Sequence, residues 1–152
     1  GSGCKIKLAS LTWSKWLDVG GLGDPIELRR RNETADDQAD EFRRALGNEA
    51  LELGMTPLVE FYEPANLARV LDAGATLVGV NNRDLHSLEV SLDTSRQLAT
   101  ERPKDVLLVA ESGITSREEI DELRGLGFDA FLIGETLMRC KDIAETLRRL
   151  TQ

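Results

Sequence analysis

Apolar residues gather in four short runs: PLVEF at 57–61, TLVGVNN at 76–82, VLLVAESG at 106–113 and FLIGE at 131–135. Glu60, Asn81, Ser112 and Gly134 sit toward the ends of these runs, and each run is followed by a turn and a helical pattern. Four such units predict parallel βα repeats, with strands at about 57–62, 76–81, 106–111 and 129–133. The unbroken stretch Val106-Leu107-Leu108-Val109-Ala110 predicts a strand buried on both faces. Between the strands the period changes to that of a helix. Ala39, Phe42, Leu46, Ala50 and Leu53 trace one face, with Thr34 and Asp37 as a capping box and Gly54 as the stop. Pro64 opens a helix that carries Leu67, Val70 and Leu71 and ends at Gly74. Asp93 is placed to cap a helix over about 94–101, and Thr115 with Glu118 to cap one reaching Gly125. A last helix is expected from Lys141 to Leu150. The fold class is therefore α/β, with parallel βα units.

Residues 1–33 have a different texture. Cys4, Ile6 and Leu8 alternate with Lys5 and Lys7, a period-two strand signal. Trp13, Trp16 and Leu17 fall at helical spacing and read as buried anchors. Gly20-Gly21-Leu22-Gly23 is a breaker, and Asp24-Pro25 suits the start of a short helix. The division expected is an N-terminal segment at 1–33, with Gly1-Ser2-Gly3 as a cloning remnant, and a βα domain at 34–152. Residues 4–10 are candidates for an added fifth strand, with Trp13 and Trp16 over its open face.

The chain has 152 residues, against roughly 250 for a complete eight-stranded (βα)8 barrel. Its net charge is −8, and no basic run interrupts it, so neither nucleic acid nor an anionic membrane is an expected partner. No stretch is long and apolar enough to predict a membrane span. Two cysteines, Cys4 and Cys140, form no spaced framework, which points to a reducing, cytoplasmic setting. No Cys/His cluster has metal-ligand spacing, and no P-loop, G-x-G-x-x-G or G-x-S-x-G is present.

In parallel barrels the chemistry sits at the C-terminal strand ends. Glu60 stands inside such an end, where a carboxylate is costly unless it faces a polar cavity or a cation. It reads either as a general acid/base or as a structural carboxylate paired with Lys or Arg. Asn81 and Arg83 at the next strand end read as substrate-binding groups, whereas Asn82 and Asp84 read as turn residues. Glu111-Ser112-Gly113 and Gly134-Glu135 close the last two strands. Glycine permits a close backbone approach, and barrels often seat a phosphate between their final two loops. A phosphorylated small molecule or inorganic phosphate is thus the expected ligand. His86, the only histidine, reads as exposed and inert.

Together these stretches resemble indole-3-glycerol-phosphate synthase. The resemblance is carried by LGMTPLVE at 53–60, GVNNRDL at 79–85, LVAESGI at 108–114 and AFLIGETLM at 130–138, over about 49–150. The piece VNNRDL is the most specific. The resemblance implies strands five to eight of a (βα)8 barrel. The family's reaction is the decarboxylating ring closure of 1-(2-carboxyphenylamino)-1-deoxyribulose 5-phosphate in tryptophan biosynthesis, with no organic cofactor or metal. It implies acid/base catalysis by Glu60, a substrate-binding amide at Asn81, a supporting or binding role for Arg83, and an active-site carboxylate at Glu111. It implies phosphate binding by the strand ends carrying Ser112, Gly113, Gly134 and Glu135.

One part of the family pattern is missing. The family's early strands carry a lysine general acid, a second lysine and a further glutamate, in motifs of the kind E-V-K-x-x-S-P-S. Residues 1–48 contain no such motif, and Lys5, Lys7 and Lys15 stand in other contexts. The expectation is a half-barrel that retains the phosphate half-site but does not turn over at a useful rate alone. The alternative is a non-catalytic half-barrel scaffold, natural or engineered, whose open edges drive homo-oligomerisation.

Overall fold

The computed structural model of the chain describes residues 8–12 and 35–152, with side chains described at 41 and from 43 onward. The elements run β1 (Leu8–Thr12), α1 (Ala35–Glu52), β2 (Thr56–Phe61), a 3-10 turn (Pro64–Asn66) leading into α2 (Leu67–Asp72), and β3 (Leu77–Asn81). They continue with α3 (Asp93–Ala99), β4 (Leu107–Glu111), α4 (Arg117–Gly125), β5 (Ala130–Leu132), α5 (Glu135–Arg139) and α6 (Ile143–Thr151). The five strands form one sheet in the order β1-β2-β3-β4-β5, and every neighbouring pair is parallel. This is the predicted half-barrel of βα units, with a fifth strand added on the N-terminal side at Leu8–Thr12. The expectations for Cys4, Trp13, Trp16, Gly20 to Gly23, Asp24-Pro25 and the Thr34–Asp37 cap lie outside the described residues.

Strand alternation divides the sheet into two faces. Val59, Phe61, Val78, Val80, Leu108 and Ala110 face the helices and pack with Val70, Leu98, Leu123 and Leu150. The other face carries Leu58, Glu60, Gly79, Asn81, Val109 and Glu111. The expectation that Val106–Ala110 is buried on both faces holds at Leu108, Val109 and Ala110 and fails at Leu107. Leu107 is 56% exposed, and Leu132, paired beside Glu111, is 52% exposed. Val109 on the inner face is buried, and the exposure falls on Leu107 at the start of β4 and on Leu132 at the end of β5.

Local chemistry sets the element ends. Gly54 and Gly74 adopt φ of +71° and +83°, the left-handed stops predicted after α1 and α2. Two predicted caps shift by a residue or two. Asp93 is the first residue of α3, and its N–H donates to Ser91 Oγ at 3.2 Å. The cap of α4 is Ser116 rather than Thr115: Glu119 N–H donates to Ser116 Oγ, and Ser116 N–H donates back to Glu119 Oε2 at 3.0 Å. Asp142 caps α6, accepting from Glu145 N–H at 2.9 Å. Helix α5 was not expected, because five residues are too short to show a helical period.

Candidate active site at the C-terminal strand ends

Parallel pairing brings the polar strand ends into line. Glu60 on β2 lies beside Gly79 on β3, and two residues further up Asn81 lies beside Glu111 on β4. All four belong to the inner face. Asn81 Nδ2 donates to Glu60 Oε1 at 2.6 Å, and Asn81 Oδ1 accepts from Arg83 N–H at 2.9 Å. The amide therefore fixes the Glu60 carboxylate from one end and the start of the next loop from the other. Glu60 is half-buried, which leaves its carboxylate within reach of a ligand.

Glu111 is only 4% exposed, and its Oε1 has no hydrogen-bond partner among the described residues. Burial in this slot, followed by the nearby Glu60 carboxylate, pushes its pKa up to about 7. A buried carboxyl without donors holds its proton near neutrality, a state suited to giving or taking one.

Asn82 does not face the cavity. It is 2% exposed and donates to the carbonyls of Glu111 and Ser112 at 3.0 and 3.3 Å, while Oδ1 accepts from Ser95 N–H and Oγ. It pins the end of β4 to that of β3 and to α3. Asp84 is a turn residue: its Oδ1 accepts from His86 and Ser87 N–H at 2.7 and 3.0 Å, which lowers its pKa. His86 is exposed and sets its ring edge-on to Tyr62, with centroids 5.9 Å apart.

Ser112 and Gly113 follow β4 with φ of +64° and +78°. Serine is seldom left-handed, so this bend is one the surroundings impose. It opens a cleft of about 170 Å³ between the ends of β4 and β5, lined by Ser112, Gly113, Leu132, Gly134, Glu135 and Thr136. Thr136 Oγ1 donates to Ile114 O at 2.6 Å and closes the floor. The Glu135 carboxylate is held by Arg83 at 2.5 Å and Arg139 at 2.8 Å. Arg83 thus reaches across the loops toward β5, and it lines a larger, open cavity of about 550 Å³ with Arg139 and Arg149.

The structure therefore groups Glu60, Asn81 and Glu111 on one face, and Ser112, Gly113, Gly134 and Glu135 around one cleft, with Arg83 beside it. Gly79, Thr136 and Arg139 were missed. Gly79 left its signal as the one glycine inside an apolar strand. Among the described residues there is no group of three side chains suited to a metal.

Comparison with known proteins adds the family. The family model for indole-3-glycerol phosphate synthase matches residues 37–150. Indole-3-glycerol phosphate synthase of Koribacter versatilis is 47% identical over 107 residues, which is 70% of this chain and 41% of that protein. That of Acetivibrio thermocellus is 46% identical over 96 residues, 63% of this chain and 37% of its own length. The chain thus spans about two-fifths of the length of these relatives. Among solved structures, 3-hexulose-6-phosphate synthase aligns over 95% of this chain and 60% of its own, with a TM-score of 0.59 and 14% identity. Thiamine phosphate pyrophosphorylase from Pyrococcus furiosus aligns over 71% and 52%, with a TM-score of 0.56 and 16% identity. At such identities the likeness shows the fold alone. With a family model covering three-quarters of its length, the chain belongs to the indole-3-glycerol phosphate synthase family.

Proposed function

We propose that this chain carries the C-terminal part of an indole-3-glycerol phosphate synthase active site, with a phosphate half-site beside it. The observation that carries this reading is the grouping of Glu60, Asn81 and Glu111 on the inner face, one strand apart, next to the Ser112–Gly134 cleft. The substrate's phosphate occupies that cleft, where backbone N–H groups meet it. Ring closure of the carboxyphenylamino sugar phosphate expels CO2, and the following dehydration expels water. Both steps move protons. Glu60, oriented by Asn81, acts as acid and base on the reacting sugar, and Glu111 supplies a second carboxyl titrating near neutrality.

The family's lysine general acid has no counterpart motif in the sequence. A positioned acid contributes on the order of 10²–10⁴-fold, and groups acting as a unit are strongly non-additive. By itself the 152-residue chain binds phosphate-bearing substrate and turns it over poorly. Fluorescence assay of indole-3-glycerol phosphate formation tests this. The expected result is no robust turnover alone, and turnover on addition of a polypeptide carrying the family's early strands. Robust turnover by the chain alone overturns the inactivity, and no recovery with the added strands overturns the active-site reading.

A second reading is self-association. Leu107 and Leu132 on the inner face, and Ile143 and Leu147 on α6, are 48–56% exposed. Among the described residues strands β1 and β5 end the sheet, and edge strands invite pairing. Two copies closing on each other form an isologous dimer. Sedimentation at micromolar concentration tests this reading: a dimer supports it and a monomer ends it.

A further inference from the structure

Inner-face positions in this sheet carry Leu58, Glu60, Leu77, Asn81, Leu107, Val109 and Glu111, and the exception is Gly79. A glycine inside a strand weakens it and marks a close approach. Here the approach can be named. A Cβ built on Gly79 falls 2.0 Å from Glu111 Oε1 and 2.9 Å from Glu111 Cδ, far inside contact distance. The next atom, Leu58 Cδ1, is 3.4 Å away, an ordinary contact. All three of these nearest atoms belong to side chains. The space that a side chain at 79 would take is already filled, and it is filled by the Glu111 carboxyl.

The register explains how. Glu111 pairs with Asn81, one inner-face step above Gly79, and Gly79 pairs with Glu60. The Glu111 side chain therefore leans back across β3 onto the bare backbone of residue 79, and this brings its carboxyl toward Glu60. Any side chain at 79 would stand between the two carboxyls.

We propose that Gly79 is the positioning residue for Glu111: its missing side chain is the slot that seats the Glu111 carboxyl beside Glu60 in the inner face. The proposal deepens the active-site reading above by naming what places its second carboxyl. It requires no turnover to be observed. Glu60 on β2 is the titratable group facing Glu111 among the described residues, and the inner-face neighbours on β3 and β5 are Asn81 and Leu132. The far end of a carboxylate side chain can rotate away where backbone cannot. Gly79→Ala is therefore expected to keep the fold and to move the carboxyl.

Carboxyl 13C NMR of the labelled 152-residue chain, with Glu111→Gln to assign the resonance, tests this directly. The expected result is a Glu111 midpoint near 7 that falls by more than one pH unit in Gly79→Ala, with the circular dichroism unchanged. An unchanged midpoint in the folded variant overturns the proposal. If Gly79→Ala is too unstable to titrate, its melting temperature is compared with that of Gly79→Ala/Glu111→Ala. Recovery in the double variant supports the slot, and equal loss in both backgrounds shows that the glycine serves the backbone and overturns it. Either outcome stands apart from the catalytic reading, since no substrate is present.

Discussion

The Asn81 side-chain amide donates to Glu60 Oε1 at 2.6 Å across 21 residues of sequence, joining the ends of two adjacent parallel strands. Replacing Asn81 by Ala removes this orienting bond and the one that Asn81 Oδ1 accepts from Arg83 N–H, without opening the core. The expected cost in stability is about 1–2 kcal/mol, since each of two part-buried hydrogen bonds is worth roughly 1 kcal/mol. In a reconstituted enzyme the loss falls mainly on kcat rather than KM. Urea unfolding and steady-state kinetics of the complemented pair check the two parts. A purely raised KM would show that Asn81 only holds substrate.

Asn82 behaves differently from its neighbour. All its polar atoms are engaged with Glu111 O, Ser112 O and Ser95, and it is buried. Asn82→Ala leaves several buried groups without partners. The expected destabilisation is about 2–4 kcal/mol, more than at Asn81. Denaturant midpoints of the two variants give the ranking.

The raised Glu111 pKa links stability to pH. Its ordinary value is 4.5 and its folded value about 7, so folding takes up a proton between them. The stability tied to Glu111 is full below about pH 4.5 and is lost as pH rises through about 7. The full span corresponds to about 3 kcal/mol. Glu111→Gln carries no such term. The difference in melting temperature, variant minus parent, is therefore expected to rise between pH 5 and pH 8, as followed by calorimetry. A flat difference would mean that Glu111 is solvated.

The Arg83–Glu135 pair is partly exposed on both sides, at 30% and 51% of the side chains. Exposed pairs contribute roughly 0–1 kcal/mol. Arg83→Ala is thus expected to leave thermal stability within about 1 kcal/mol while weakening anion binding. A large loss of stability would assign Arg83 a structural part instead.

Much of this was legible in the chain because parallel βα repeats write themselves plainly. Four apolar runs with polar residues or glycine toward their ends gave β2 to β5 to within two residues at either end. They also drew attention to Glu60 and Asn81 as polar groups at strand ends, with a cation-paired structural role for Glu60 left open, while the active-site role expected of Glu111 came from the family resemblance. What escaped depends on contacts between distant segments. Asn82 and Asn81 are adjacent and chemically identical, and only the tertiary fold turns one inward toward Ser95 and the other toward Glu60. Gly79 carries no chemistry of its own and gains meaning only from Glu111, 32 positions later. The caps at Ser116 and Asp93 slipped because several neighbouring residues can each accept a helix N–H. Leu107 was expected to be buried because a run of apolar residues does not say how far along the strand its cover extends.

The central claim is that these strand ends form a working phosphate half-site within the chain. Isothermal titration of the folded chain with a phosphate monoester such as glycerol phosphate measures it. Gly134→Asp is the control, since a Cβ at 134 meets nothing within 4 Å and the substitution adds charge at the cleft. The account predicts saturable binding that weakens at least tenfold in Gly134→Asp while the melting temperature stays close to the parent's. No binding, or binding that Gly134→Asp leaves unchanged, would contradict it.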